Sequence, residues 1–285
     1  MKIAVLGSTG MAGHVVAAYL EERGHQVYRT SRSEKDGPRS RGIDVCDFSA
    51  LGAWLDQVSP EAVVNCIGLL QNACEARPDL GVLINSYLPH WLEHRYAETA
   101  VRVIHISTDC VFSGKAGQYR EDDLQDGRTM YDRSKALGEL RNAKDLTLRM
   151  SIIGPDIDPK GTGLFNWFMS QRGEIQGWTK AIWNGVTTVE LARAIHEALN
   201  QKLTGLYHLV QPEPIDKYSL LLLFRESFHR SRVQIRQVEG LVVNKSLINS
   251  RNDFAFTVKS YPEQLRDMAD WVQRHGEWYP HYREA

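Results

Sequence analysis

The most constraining feature of the sequence is a group of three glycines directly after its first apolar run. The chain opens MKIAVLGSTGMAGH, which places Gly7, Gly10 and Gly13 between a predicted strand and a predicted helix. Gly7 allows a tight turn, Gly10 lets backbone N–H groups approach a diphosphate, and Gly13 allows close packing of helix on strand. The opening therefore predicts a dinucleotide-binding loop, also lined by Thr9 and Met11.

The first half of the chain alternates short apolar runs with longer helical patterns. Strands are predicted at 2–6, 26–29, 62–67, 101–107 and 146–152, and helices at 12–23, 48–58, 79–98 and 131–142. This alternation is typical of a parallel sheet covered by helices on both faces. We therefore predict an α/β fold with a Rossmann-type, doubly wound parallel sheet, and we assign residues 1–150 to an NAD(P)-binding domain. Pro89 is expected to kink the third helix, because it has no N–H group.

The pattern changes after about residue 150. Glycines and prolines interrupt 154–163, and the later elements are predicted helices at 164–172, 188–200, 217–229 and 261–275 with short strands at 206–210 and 233–237. We interpret residues 151–285 as a smaller α+β substrate-binding lobe over the carboxyl edge of the sheet. Its segments can interleave with those of the first domain.

Composition excludes several classes of protein. The net charge is −1, so no overall field favours nucleic acid or an acidic membrane. No apolar run approaches the roughly 20 residues of a membrane span. The four cysteines show no CxxC spacing and no clustering with histidine, so we expect no metal site, no disulfide framework and a cytoplasmic location.

The end of the second predicted strand bears on the choice of cofactor. NAD enzymes of this architecture usually have an acid there for the ribose 2′-hydroxyl. This chain has Ser31 and Arg32 instead. An arginine fork and a serine hydroxyl suit a 2′-phosphate, which favours NADPH and leaves NADH open. The alternative is that the arginines of this loop are only solvated.

Two further strand ends are candidates for cofactor contacts. Asp44 and Val45 follow a short third strand and could meet the adenine edge, whereas Cys66, Ile67 and Gly68 end the fourth strand where the middle of the cofactor would pass. Both segments could equally be simple strand ends.

A tyrosine and a lysine four residues apart open the next predicted helix. Residues i and i+4 share one helix face, so Tyr131 and Lys135 would project together. A free tyrosine titrates near pH 10, and a neighbouring ammonium is expected to lower that pKa toward the working range. Thr108, at the end of the fifth strand, could hold a carbonyl oxygen in line with Tyr131. The three residues predict a proton-transfer site.

Three segments resemble the extended short-chain dehydrogenase/reductases, and within them the dTDP-4-dehydrorhamnose reductase family. HISTDCVFSGKAGQYREDD is similar to the strand and loop before that family's catalytic tyrosine, YDRSKALGE to its catalytic helix, and WNGVTTVELARAI to a helix entry in its substrate lobe. The resemblance covers most of residues 1–200. It implies a catalytic triad of Thr108, Tyr131 and Lys135. It also places on the phosphate loop Gly7, Thr9, Gly10 and Met11.

The chain also departs from the family. Cys110 stands where the family commonly has tyrosine, and residues 149–155 and 183–185 match only loosely. The proton-transfer residues are unaffected, but the particular sugar nucleotide stays open. Candidate sugar or base contacts in the lobe are Asn166, Trp167, Trp178, Trp183 and Asn184. For any single tryptophan, core packing is the simpler interpretation.

The resemblance implies NADPH-dependent reduction of the C4 keto group of a nucleotide-linked 4-keto-6-deoxy sugar, for polysaccharide biosynthesis. Dehydratases of the superfamily carry Thr-Asp-Glu where this chain has Thr108, Asp109 and Cys110. Epimerases usually keep NAD bound, and the missing acid at Ser31 argues against them. A non-catalytic NADP-binding regulatory subunit is a third alternative. The expected partner is the nucleotide-sugar substrate, and a homodimer is compatible with the sequence.

Overall fold

The computed structural model describes residues 1–283, and a seven-stranded parallel sheet forms their centre. The strands are β1 (Lys2–Leu6), β2 (Gln26–Ser31), β3 (Ser40–Gly42), β4 (Ala62–Asn65), β5 (Arg102–Thr108), β6 (Leu146–Met150), β7 (Ile152–Ile153), β8 (Gly173–Trp178), β9 (Ala181–Trp183), β10 (Val186–Thr187), β11 (Gly205–His208), β12 (Ile215–Asp216), β13 (Val233–Val238) and β14 (Val243–Asn244). The central sheet has the order β11-β6-β5-β4-β1-β2-β3. The predicted Rossmann-type fold is confirmed.

Helices cover both faces of this sheet. They are α1 (Met11–Glu22), α2 (Phe48–Val58), α3 (Gln71–Ala76), α4 (Pro78–Gly81), α5 (Leu88–Arg95), α6 (Met130–Leu137), α7 (Leu164–Met169), α8 (Thr188–Asn200), α9 (Lys217–Ser227) and α10 (Tyr261–Arg274). One apolar cluster joins α1, α8 and α10 to one face, and a second joins α2 and α5 to the other. Strand order reverses between β1 and β4, and ligands of such sheets bind beyond the carboxyl ends at this point.

The predicted helix 79–98 is broken. A π-helical turn, Val82–Tyr87, separates α4 from α5, and the Leu88 N–H donates to the Leu83 carbonyl five residues back. Pro89 lacks an N–H and its ring would clash with the carbonyl of Asn85 in a regular helix, so the wider turn relieves the conflict. The irregularity thus lies before the proline rather than at it.

The C-terminal half contributes to both parts of the molecule. Strand β11 extends the central sheet by pairing with β6, and α8 packs on α1. Small sheets form the rest of the lobe: β8 pairs with β13, β7 with β10, and β9 lies between β12 and β14. The chain therefore passes between the central sheet and the lobe more than once. The segments of the two parts interleave after residue 150.

Candidate active site

The glycine loop has the conformation that a dinucleotide diphosphate requires. Gly7 has φ +78°, and a Cβ there would lie 2.9 Å from the Ile67 side chain. A Cβ on Gly13 would lie only 2.0 Å from the Gly7 carbonyl oxygen. Helix α1 begins at Met11 without a side-chain cap from Gly10, which leaves its first N–H groups available to an anion. The residues present therefore fit a bound dinucleotide.

The end of β2 lies beside this loop. The Thr9 hydroxyl donates to Ser31 Oγ at 2.8 Å, which brings Ser31 to the loop as a cofactor contact would require. Arg32 is exposed and forms no ion pair with any residue in 1–283. Arg29, by contrast, is paired with Glu21 and is not available to a phosphate. Arg32 is thus the arginine of this strand end that can meet a 2′-phosphate.

One acid at this edge was missed in the sequence. The Ser8 hydroxyl donates to Glu34 Oε2 at 2.5 Å, so Glu34 reaches the glycine loop from three positions beyond Ser31. The sequence-based prediction considered only the end of β2, where Ser31 and Arg32 stand, and it did not consider Glu34. The turn after β2 brings the Glu34 carboxylate back to the glycine loop. No local sequence pattern predicts this contact. Asp44 is exposed and Val45 is buried; both remain predicted adenine contacts.

The segment after β4 connects the loop to the proton-transfer residues. The Ile67 N–H donates to Asn65 Oδ1 at 3.1 Å, which fixes the strand end next to Gly7. Cys66 lies near Lys135, and burial raises the pKa of its thiol to about 12. Cys66, Ile67 and Gly68 thus lie between the glycine loop and Lys135, and they stay predicted contacts of the cofactor.

Thr108, Tyr131 and Lys135 converge beyond the carboxyl end of β5. A capping box between Thr129 and Asp132 starts α6, which directs its first turn toward the strand end. Lys135 is buried and its ammonium donates to the Ile106 carbonyl at 2.6 Å. Thr108 hydrogen-bonds the Tyr131 phenol.

The electrostatics of the tyrosine differ from the sequence-based expectation. Burial raises the pKa of Tyr131 above its usual value, and the hydrogen bond with Thr108 only partly opposes this. Burial also lowers the pKa of Lys135 to about 8, against the opposing effect of the Glu139 carboxylate. The expected lowering of the tyrosine pKa by Lys135 is therefore wrong. Tyr131 is a protonated acid ready to donate.

A buried ion pair fixes the catalytic helix to the sheet. Glu139, just beyond α6, accepts from Arg149 Nε at 2.7 Å and from Nη2 at 2.5 Å, and its Oε1 also accepts from the Ser107 hydroxyl at 2.6 Å. Both charged side chains are almost fully buried. Because Ser107 precedes Thr108, this pair sets the distance between β5 and the helix that carries Tyr131. Neither Glu139 nor Arg149 was predicted to have a role, because they meet only when the helix end packs on β6.

The predicted substrate contacts occupy different environments. The Asn166 amide is buried, donates to the Gly161 carbonyl and accepts from the Tyr282 hydroxyl, so it holds a loop of the lobe. Trp183 is also buried, against Tyr261. Trp167 is 40% exposed. Of the three, Trp167 has the most surface for a ligand, and Asn166 has the strongest structural role.

Asp109 and Cys110 form the wall next to Thr108. Both are largely buried, and burial raises the pKa of Asp109 and that of Cys110, the latter to about 11. Cys110 is thus a neutral thiol.

Residues 1–283 contain no group of three His, Cys, Asp or Glu side chains arranged to hold a metal. Every helix in this range is too short or too polar to cross a bilayer.

The parallel sheet, its glycine loop and the residues beyond β5 define a nucleotide-binding protein of the extended short-chain dehydrogenase/reductase class. The family model described as RmlD substrate binding domain matches residues 1–244. The chain belongs to this family.

The curated relatives have two different kinds of name: some are named as reductases and others as subunits of methionine adenosyltransferase. A probable low-salt glycan biosynthesis reductase, Agl14, of Haloferax volcanii is 32% identical over 52% of this chain and 52% of its own length. The chain thus spans about half of that relative. Methionine adenosyltransferase 2 subunit beta of Xenopus tropicalis is 22% identical over 82% of this chain and 74% of its own length.

Solved structures share the fold. A dTDP-4-dehydrorhamnose reductase from Clostridium acetobutylicum superposes with a TM-score of 0.79 at 20% identity, over 96% of this chain and 100% of that one. The Bacillus anthracis dTDP-4-dehydrorhamnose reductase in complex with NADP gives 0.79 at 19% identity, over 95% and 99%.

Proposed function

We propose that this chain reduces the C4 keto group of a nucleotide-linked 4-keto-6-deoxy sugar with NADPH, in deoxysugar or polysaccharide biosynthesis. The observation that carries the proposal is the meeting of the Thr108 and Tyr131 hydroxyl groups beside buried Lys135, next to a glycine loop that fits a dinucleotide. Family membership and relatives named as reductases support it.

The residues divide the chemistry between them. NADPH, when bound, supplies a hydride. Thr108 and Tyr131 hold the carbonyl oxygen between two hydroxyl groups, which polarises the bond. Tyr131 then donates its proton to the alkoxide that forms at C4, and the Lys135 ammonium stabilises the remaining phenolate. Because the pKa of Tyr131 is raised, the phenol stays protonated until the alkoxide forms.

A non-catalytic subunit is the second candidate. Relatives named methionine adenosyltransferase 2 subunit beta align over 82% of this chain, farther than the relatives named as reductases. Such a subunit would bind the cofactor without converting a sugar.

One experiment separates the candidates. The protein is incubated with NADPH and a panel of 4-keto-6-deoxy sugar nucleotides, and loss of nicotinamide absorbance is compared with the product formed. We expect one NADPH consumed for each product. Product without NADPH loss would indicate an internal hydride return, as in a dehydratase or epimerase. Absence of product across the panel would favour the subunit.

The remaining assignments are also proposals. We place the reaction in the cytoplasm, since all four cysteines are free thiols, as a reducing compartment would keep them. The homodimer stays a prediction.

A further inference from the structure

Two lysines of the substrate lobe flank the same short strand. In the small sheet β12-β9-β14, β12 pairs with β9 on one side and β14 on the other. Lys217 directly follows β12 and Lys245 directly follows β14. The pairing therefore places one lysine on each side of β9, whose last residue is Trp183.

Both ammonium groups face the wall beside the carbonyl-binding residues. Lys217 Nζ lies 5.3 Å from the centre of the Trp183 ring. Each lysine interacts electrostatically with Asp109 and Cys110, the residues that directly follow Thr108. The lobe thus directs two cations at the end of β5, where the substrate carbonyl is expected.

The positive charges of Lys217 and Lys245 are not fully compensated by Asp109 on this wall. Lys217 is partly buried, and burial lowers its pKa to about 8, yet it forms no hydrogen bond and no ion pair with residues 1–283. Asp109, the carboxylate that acts on both lysines, already accepts from the Thr108 hydroxyl, and burial biases it toward its neutral form. A buried ammonium without an acceptor is unfavourable. An anion that enters the cleft would remove this penalty.

We propose that Lys217 and Lys245 bind the diphosphate that links the sugar of the substrate to its nucleoside. This rests on the proposed function. Two ammonium groups match the charge of a diphosphate, and lysine binds phosphate as a compact point charge, whereas a planar carboxylate is better matched by the arginine fork. Because Asp109 and Cys110 are adjacent to Thr108, the proposed anion site lies on the same wall as the residues proposed to bind the carbonyl.

Equilibrium binding tests this without turnover. The full chain, saturated with NADPH so that the glycine loop is filled, is titrated with thymidine diphosphate, inorganic pyrophosphate and thymidine in a calorimeter. Loss of a charge-assisted hydrogen bond typically weakens binding by about tenfold or more. Lys217→Met and Lys245→Met are each expected to weaken thymidine diphosphate and pyrophosphate to this extent and to leave thymidine unchanged.

Lys180→Met is the matched control, because Lys180 is an exposed lysine in the same lobe. It should bind all three compounds like the parent protein. Unchanged NADPH affinity in every variant would establish that the chain is folded. Parent-like affinity of both lysine variants for thymidine diphosphate would overturn the proposal, and so would an equal loss in Lys180→Met. Neither result depends on whether any ketosugar is reduced.

Discussion

His14 Nε2 lies 2.7 Å from the Tyr279 hydroxyl, which joins the helix after the glycine loop to the C-terminal segment. The Trp271 indole N–H donates to the same hydroxyl at 3.1 Å, and His14 Nδ1 lies 2.8 Å from the Gly10 carbonyl. An indole only donates and a carbonyl only accepts. The proton of neutral His14 is therefore on Nδ1, and Tyr279 donates to Nε2. A directed hydrogen-bond chain thus runs from Trp271 to Gly10.

This chain predicts an effect of Tyr279→Phe on cofactor binding. The variant leaves Trp271 and His14 without their shared partner, at a cost of about 1–3 kcal/mol in the free energy of unfolding. Because the chain ends on Gly10, NADPH affinity should fall as well, while kcat at saturating NADPH stays near the parent value. Tyr261→Phe is the matched control, since the Tyr261 hydroxyl is buried without a hydrogen-bond partner. Equal NADPH affinity in the parent and Tyr279→Phe would exclude the coupling.

His14 also predicts how stability depends on pH. Burial lowers its pKa from 6.5 to about 4. Between these values the unfolded chain binds a proton that the folded chain does not, so the free energy of unfolding falls as the pH decreases from 6.5 to 4. The loss is about 3 kcal/mol at roughly 1.4 kcal/mol per unit. Urea unfolding of the parent protein and of His14→Gln at pH 7 and pH 5 measures the part lost by pH 5, about 2 kcal/mol. His14→Gln should show a shallower decrease, and an identical decrease would contradict this assignment.

We expect the cofactor preference to depend on Arg32 and Glu34, which have opposite charges just beyond the end of β2. Arg32→Ala removes the cation proposed for the 2′-phosphate and should weaken NADPH by about 1.5–3 kcal/mol, with little effect on NADH. Glu34→Gln removes a negative charge from the same edge and should strengthen NADPH. Fluorescence titration with both cofactors checks each variant. If Arg32→Ala weakened NADH as much as NADPH, the assignment of Arg32 to the phosphate would fail.

The lowered pKa of Lys135 leads to a prediction of how kcat changes at alkaline pH. Its pKa is about 8, so its charge is present below that pH and is lost as the pH rises through it. Tyr131 stays protonated over the same range, because burial raises its pKa. We therefore expect kcat, measured with both substrates saturating, to decrease above about pH 8. A kcat that rises between pH 8 and 9.5 would contradict a role for the lysine charge.

The sequence predicted the parts of the molecule that depend on local pattern. The glycine spacing predicted the loop after β1, and the i, i+4 spacing predicted a shared helix face for Tyr131 and Lys135. The predicted helix 131–142 nevertheless ends at Leu137. Gly138 approaches the π-helical turn there, and a Cβ on it would lie 1.9 Å from the Asn85 carbonyl oxygen.

Contacts between distant segments could not be predicted in the same way. Glu34 reaches Ser8 through a turn. Lys217 and Lys245 both act on Asp109 only because β12 and β14 both pair with β9. The pKa of Tyr131 depends on how completely the folded chain buries its side chain, and the residue spacing does not show this. Such features require the assembled fold.

The most direct test of the account is Tyr131→Phe. The substitution keeps the ring and removes the transferable proton, so NADPH binding should survive while turnover of the ketosugar falls by roughly 10²–10⁴-fold, the usual contribution of general acid catalysis. Tyr87→Phe, an exposed tyrosine, is the control and should match the parent protein. The measurement is NADPH oxidation with NMR of the sugar at C4. Loss of turnover with intact NADPH affinity is the predicted result, and reduction at the parent rate would contradict the mechanism.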